Sequence, residues 1–183
     1  MAYANKVITN AKTGQIIRFV KTARDTDGQL LEMVATFKEH GLEPVAHYHP
    51  HQVEDFRIIA GELAVRINGQ VEVFRPGDRF HVAKNTVHSM WNPTGQPTVA
   101  TWQVRPALET EYFLETTTGL ANDDKTDADG VPSVLQISLL MTRYARVFRL
   151  SKPGRAVQKI VFSLLAPLAC VLGYKSIYLQ YLD

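Results

Sequence analysis

The chain has 183 residues, 45% of them apolar and 21% charged, with a net charge of +2. Those proportions exclude a disordered, collagen-like or coiled-coil chain and predict one domain, or one domain with an appendage. A single cysteine, Cys170, excludes an intramolecular disulfide, and no long apolar run of a secretory leader occurs in the first fifteen residues, so a cytoplasmic location is expected.

From the N-terminus to about Ala107 the apolar residues recur with a period of two. Ile16–Val20 follows the turn Thr13-Gly14, and Leu31, Met33, Ala35 and Phe37 alternate with more polar neighbours after Asp27-Gly28. Leu63, Val65 and Ile67 run into Asn68-Gly69, a strong hairpin signal because both turn positions need positive φ. Val71 and Val73 begin the return strand, which stops at Pro76-Gly77. Phe80–Ala83, Val87–Trp91 and Thr98–Val104 complete nine or ten short strands, the pattern of a sandwich or barrel over residues 1–107.

After Pro106 the spacing becomes helical, over Glu109–Leu120, Ser133–Leu150 and Arg155–Tyr174, so residues 108–183 are expected to form an α-helical C-terminal extension. A polar loop over about 122–132 divides it. Asp127 and Asp129 precede Gly130 there, but Lys125 and Gln136 stand where an EF-hand needs acids, so a solvated loop is expected. Residues 133–183 carry +6 while residues 1–132 carry −4, which suggests two regions with different surroundings. Ile160–Tyr174 is an uncharged run of 15 residues, too short for a bilayer and interrupted by Pro167. Packing of the tail, with Cys170 buried, is favoured over peripheral contact of its basic helices with a membrane.

The chemistry lies in the histidines. His47, His49 and His51 fall within five residues, with Glu54 just after them and His88 later. Strand residues two apart share a face, so His47 and His49 present two imidazoles together. A turn near Pro50 would let Glu54 reach the same point from a neighbouring strand, and His88 would join from another hairpin. His51 keeps the parity only if the strand continues past Pro50, which leaves it as a donor behind the ligands, a general base or a surface residue. His40 is expected in a solvated turn, and His81 is expected to be structural.

The segment Gly41–Gly61 has Gly41, His47, His49, Glu54 and Gly61 at the spacing of the first cupin motif. Gly77, His88 and Asn92 match the second, with Ala83 and Asn85 replacing the usual Pro and Gly. Asn85 tolerates a left-handed turn better than most residues. The chain thus resembles the cupin superfamily over 41–92 by motif and over 7–104 by strand pattern. The resemblance implies a mainly β, double-stranded β-helix (jelly-roll) barrel and one divalent transition metal, iron, manganese, nickel, copper or zinc, held by His47, His49, Glu54 and His88.

Strand parity then turns Phe56, Ile58 and Ala60 inward with Glu54, and Met90 inward with His88, as the wall of a small-molecule pocket or as plain core. Trp91 and Trp102 are expected to be packing residues. Glu54 and His51 are the candidates for proton transfer. Three functions compete: a metal-dependent dioxygenase acting on a small organic molecule, placed narrowly first; a non-redox isomerase or decarboxylase on the same site; and a binding or sensing module without turnover. A homodimer is expected, with N-terminal strands covering sheet edges across subunits, and no nucleic-acid partner is expected.

Overall fold

The computed structural model describes residues 2–182. Among them, ten strands precede the first α-helix: β1 (Val7–Thr9), β2 (Ile16–Lys21), β3 (Leu31–Phe37), β4 (His47–Tyr48), β5 (Val53–Ala60), β6 (Leu63–Ile67), β7 (Gln70–Phe74), β8 (Arg79–Val82), β9 (His88–Trp91) and β10 (Thr98–Arg105). Then come α1 (Thr110–Asn122), α2 (Val134–Arg143), the two-residue strand β11 (Arg149–Leu150) and α3 (Arg155–Val171).

The strands form two antiparallel sheets, ordered β1-β2-β3-β10-β5-β8 and β11-β4-β9-β6-β7. Between them lies one core. Phe56, Ile58, Phe80, Val82 and Ala100 from the first sheet meet Leu63, Val65 and Phe74 from the second. Each large side chain so buried contributes about 1.5–3 kcal/mol before entropy is charged. A second cluster joins Ile17, Phe19, Leu31, Met33 and Val104. The alternation along β3 is complete, with Leu31, Met33, Ala35 and Phe37 buried and their neighbours half-buried. The two facing sheets are the sandwich-like pattern that the period of two predicts, and they fit the jelly-roll that the cupin resemblance implies.

Turn chemistry fixes the strand ends. Asn68 and Gly69 both have positive φ, 49° and 90°, and close the β6–β7 hairpin. Asn85 adopts φ 61° in the turn before β9, so the Gly-to-Asn replacement is accommodated. Gly61 has φ +74°, and a Cβ there would lie 2.6 Å from the Pro97 carbonyl oxygen.

The sheet edge at β1 is met by this chain's own α1. Asn122 Nδ2 donates to the Thr9 carbonyl at 3.0 Å, and Asn122 Oδ1 accepts from the Ala11 amide at 2.9 Å.

Three expectations for residues beyond Pro106 need correction. The second helix stops at Arg143 and does not reach Leu150. Val147 and Phe148 amides both donate back to the Tyr144 carbonyl, forming a tight turn, and Arg149–Leu150 pairs with β4. Pro167 does not interrupt α3. It lies on an exposed side, so the Ser163 carbonyl it leaves without a helical donor can reach water. Cys170 is exposed. The inner side of α3 sets Ala166 and Ala169 against Leu139 of α2, while Ile160, Leu164 and Val171 stay exposed. The loop before α2 is capped by its own carboxylate, since Asp127 Oδ1 accepts from the Asp129 and Val131 amides. Among the described residues, no helix is long and apolar enough to cross a membrane.

Candidate metal centre

The short strand β4 runs beside β9, and its His47 is directly opposite His88. Period-two geometry then brings His49, just past β4, to the side of His47, with buried Tyr48 pointing the other way. One ligand-type atom from each of His47, His49 and His88 lies within 4.8 Å of the others. Glu54 reaches the same point from β5. Its Oε2 is 3.2 Å from His49 Nε2 and 3.0 Å from His88 Nε2. Glu54 and His88 are each 1% exposed, and His47 alone of the four is partly open.

A backbone carbonyl orients each ring. Nδ1 of His47 donates to Val45 at 3.3 Å, Nδ1 of His88 to Thr86 at 3.0 Å, and Nδ1 of His49 to Val147 at 2.6 Å. With the proton on Nδ1, each neutral ring turns the Nε2 lone pair inward. Glu54 is held likewise: the Trp102 indole Nε1–H donates to Oε1 at 2.9 Å, leaving Oε2 to face the histidines.

The consequence is a knot of acceptors. His49 Nε2, His88 Nε2 and Glu54 Oε2 are all buried without a hydrogen-bond donor. Lone pairs at about 3 Å repel unless a cation or a proton lies between them. The donor set, imidazole nitrogen with one carboxylate oxygen, suits a divalent transition metal. Without a metal, protons respond to the same field. Burial opposes the charge on Glu54, but His49 and His88 outweigh it and hold the carboxyl well below its ordinary range. Burial likewise opposes a proton on His49, and the Glu54 charge overcomes this, raising its pKa. Burial pushes His47 well below the ordinary histidine value, and His88 and His49 add to the effect.

His51 is exposed and outside the histidine group. The strand ends before it, and the next residue, buried Gln52, donates to the Pro106 and Ala107 carbonyls. His81 is exposed and pairs with Asp55 at 2.8 Å, and His40 is exposed at positive φ. Phe56 is stacked between Phe80 at 4.7 Å and Trp102 at 5.6 Å. Ile58 is buried in the same cluster and half-buried Met90 packs against it, so these three fill the interior. Ala60 is exposed and does not point inward, because the β5–β10 register slips between Val99 and Ala100 and breaks the parity. Trp91 packs under the Arg66 guanidinium at 5.7 Å. Sequence reasoning missed the Trp102 hydrogen bond, although its place opposite Phe56 in the β5–β10 ladder puts it on the inner face with Glu54. It also missed Val147 and Phe148, which carried no signal beyond an apparent helix.

The Cupin domain family model matches residues 33–104, which contain all four candidate ligands. Over those residues the chain matches the cupin domain family. The chain is 37% identical over 75 residues to quercetin 2,3-dioxygenase of Bacillus subtilis (strain 168), covering 41% of this chain and 22% of that protein. It is 33% identical over 64 residues to an oxidoreductase of Arthrobotrys oligospora, covering 34% and 25% respectively. The chain therefore spans about a quarter or less of the length of these curated relatives. A crystal structure of a predicted oxalate decarboxylase from Thermotoga maritima superposes with a TM-score of 0.50 at 15% identity, over 56% of this chain and 92% of that one, a likeness of fold.

Proposed function

We propose that this cupin is a metal-dependent enzyme acting on a small organic molecule, with dioxygenase-type chemistry. The observation that carries the proposal is the convergence of buried, donorless His49 Nε2, His88 Nε2 and Glu54 Oε2 beside His47. Such an arrangement is costly to fold without a cation. The 37% identity of the matched region to a quercetin 2,3-dioxygenase supports oxygen chemistry.

His47, His49, His88 and Glu54 would hold one divalent metal. Bound there, a redox-active ion such as iron, manganese, nickel or copper supplies a Lewis acid for a substrate oxygen and an electron path to dioxygen. The protein's own part is positional. The three carbonyls keep the imidazoles in one tautomer. Trp102 ties up Oε1 of Glu54, so a proton accepted by this carboxylate resides on Oε2, on the histidine side. The stack of Phe80, Phe56 and Trp102 keeps water from the other side of the carboxylate.

The test is elemental analysis of the chain purified without chelator, followed by oxygen uptake with flavonol, catechol and β-diketone substrates. One metal per chain and uptake abolished in His88→Ala are expected. A chain that takes up no transition metal after stripping and reconstitution refutes the proposal. A tight zinc complex with no oxygen uptake would move the chemistry to the non-redox class.

A further inference from the structure

The metal centre has a wall that lies outside the cupin-matched residues. From Tyr144 to Ser151 the chain turns back across the open side of the histidine cluster. It is fastened to the strand that carries the ligands: Leu150 pairs with His47, Arg149 with Tyr48, and the Ser151 amide donates to the Ala46 carbonyl at 3.0 Å. Just before these fastenings, the Val147 carbonyl takes the Nδ1 proton of His49. The next side chain, Phe148, lies on the site. Its ring stacks on His47 at 4.4 Å with an interplanar angle of 21°, and stands edge-on to His49 at 6.1 Å. Phe113 of α1 stacks behind it at 4.8 Å, so the ring is braced from its far side.

We infer that Phe148 is a specificity-determining residue of this centre, limiting by size what can reach the metal beside His47. The inference rests on the metal reading above. Its physical basis is simple. Of the four candidate ligands His47 alone is partly exposed, and a braced aromatic ring covers one of its faces. A ligand entering on that side meets the phenyl ring before it meets the imidazole nitrogens. A small anion needs little room, whereas a ligand carrying its own ring must occupy the space that Phe148 fills.

The test uses the full chain loaded with Co2+, whose visible d–d absorption reports exogenous ligands. Azide is the small probe and benzoate the ring-bearing probe, titrated into the wild-type chain, Phe148→Leu and Phe148→Ala. Cobalt stoichiometry should be unchanged in all three, with azide affinity altered by less than about threefold. Benzoate affinity should rise at least about tenfold in Phe148→Ala, because the phenyl probe then buries its surface where the ring stood. Phe148→Leu, which keeps much of the bulk and guards against a folding defect, should fall between. Azide and benzoate changing in parallel, or neither changing in cobalt-loaded protein, overturns the inference while leaving the metal reading intact. A wild-type chain that takes up no cobalt overturns both.

Discussion

Trp102→Phe isolates one hydrogen bond of the candidate centre. The substitution keeps an aromatic ring to stack on Phe56 and removes the indole N–H that reaches Glu54 Oε1 at 2.9 Å. A hydrogen bond to a charged acceptor is worth about 1.5–3 kcal/mol, or about one to two powers of ten in an equilibrium constant. Loss of an orienting partner behind a metal ligand costs about 10–100-fold in affinity, the same range by a separate route. The bond exists with and without metal, so part of its loss should appear as lower stability of the metal-free chain. The rest should appear as weaker binding, because Oε2 is no longer held toward the histidines. Competition against a chromophoric chelator for Co2+ or Mn2+ measures the binding part, and urea denaturation measures the other. Trp91→Phe, which alters the ring under the Arg66 guanidinium and leaves the Trp102–Glu54 bond in place, should leave metal affinity unchanged. If Trp102→Phe folds normally and binds metal within about twofold of wild type, with unchanged urea stability, Trp102 does not position Glu54.

Metal removal should lower the melting temperature; restoring metal to 100 times its dissociation constant should return about 2.7 kcal/mol, read by calorimetry, and a melting point indifferent to metal would exclude a native-state site. Gly61→Ala should destabilise by about 1–3 kcal/mol or more, through positive φ and a Cβ 2.6 Å from the Pro97 oxygen, and an unchanged urea midpoint would contradict that geometry. In the metal-free chain the lowered pKa of His47 makes stability rise with pH up to the unfolded histidine value, about 6.5. The raised pKa of His49 adds stability that is complete below about 6.5 and is lost as pH climbs through the folded value. Urea stability of stripped protein should therefore peak near pH 6.5, and a monotonic rise to pH 8 would show that His49 is not paired with Glu54.

The strands were legible because each has one buried face, as the full alternation of Leu31, Met33, Ala35 and Phe37 illustrates. The parity argument failed only where the ladder slips, at Ala60. The convergence of His47, His49 and His88 was legible from spacing, since period-two geometry and a facing hairpin suffice to bring them together. Two kinds of feature were not. Tyr144, Val147 and Phe148 have the three- and four-residue spacing of a helix face, yet the turn on Tyr144 uses that spacing and β11 follows it. What decides the outcome is a strand partner about a hundred residues earlier, and local pattern holds no trace of it. Hydrogen bonds to backbone carbonyls were equally invisible, because a carbonyl has no sequence identity: Val45, Thr86 and Val147 orient the histidines as any residue could.

The cupin-matched residues, 33–104, contain the whole candidate ligand set and two of the three carbonyls that fix the imidazoles. The third belongs to Val147, and its bond to His49 is the shortest of the three. Without that acceptor, a buried Nδ1–H would be left unpaired at a cost of about 1–3 kcal/mol, or the ring would turn or change tautomer and withdraw Nε2 from the site. The ring covering His47 comes from the next residue, and the strand holding both pairs directly with β4. The candidate ligands therefore all lie within the cupin-matched residues, while the carbonyl that orients His49 and the ring stacked on His47 come from residues more than forty positions past the end of the family match. A change in the tail that leaves every ligand in place can still alter what the centre binds.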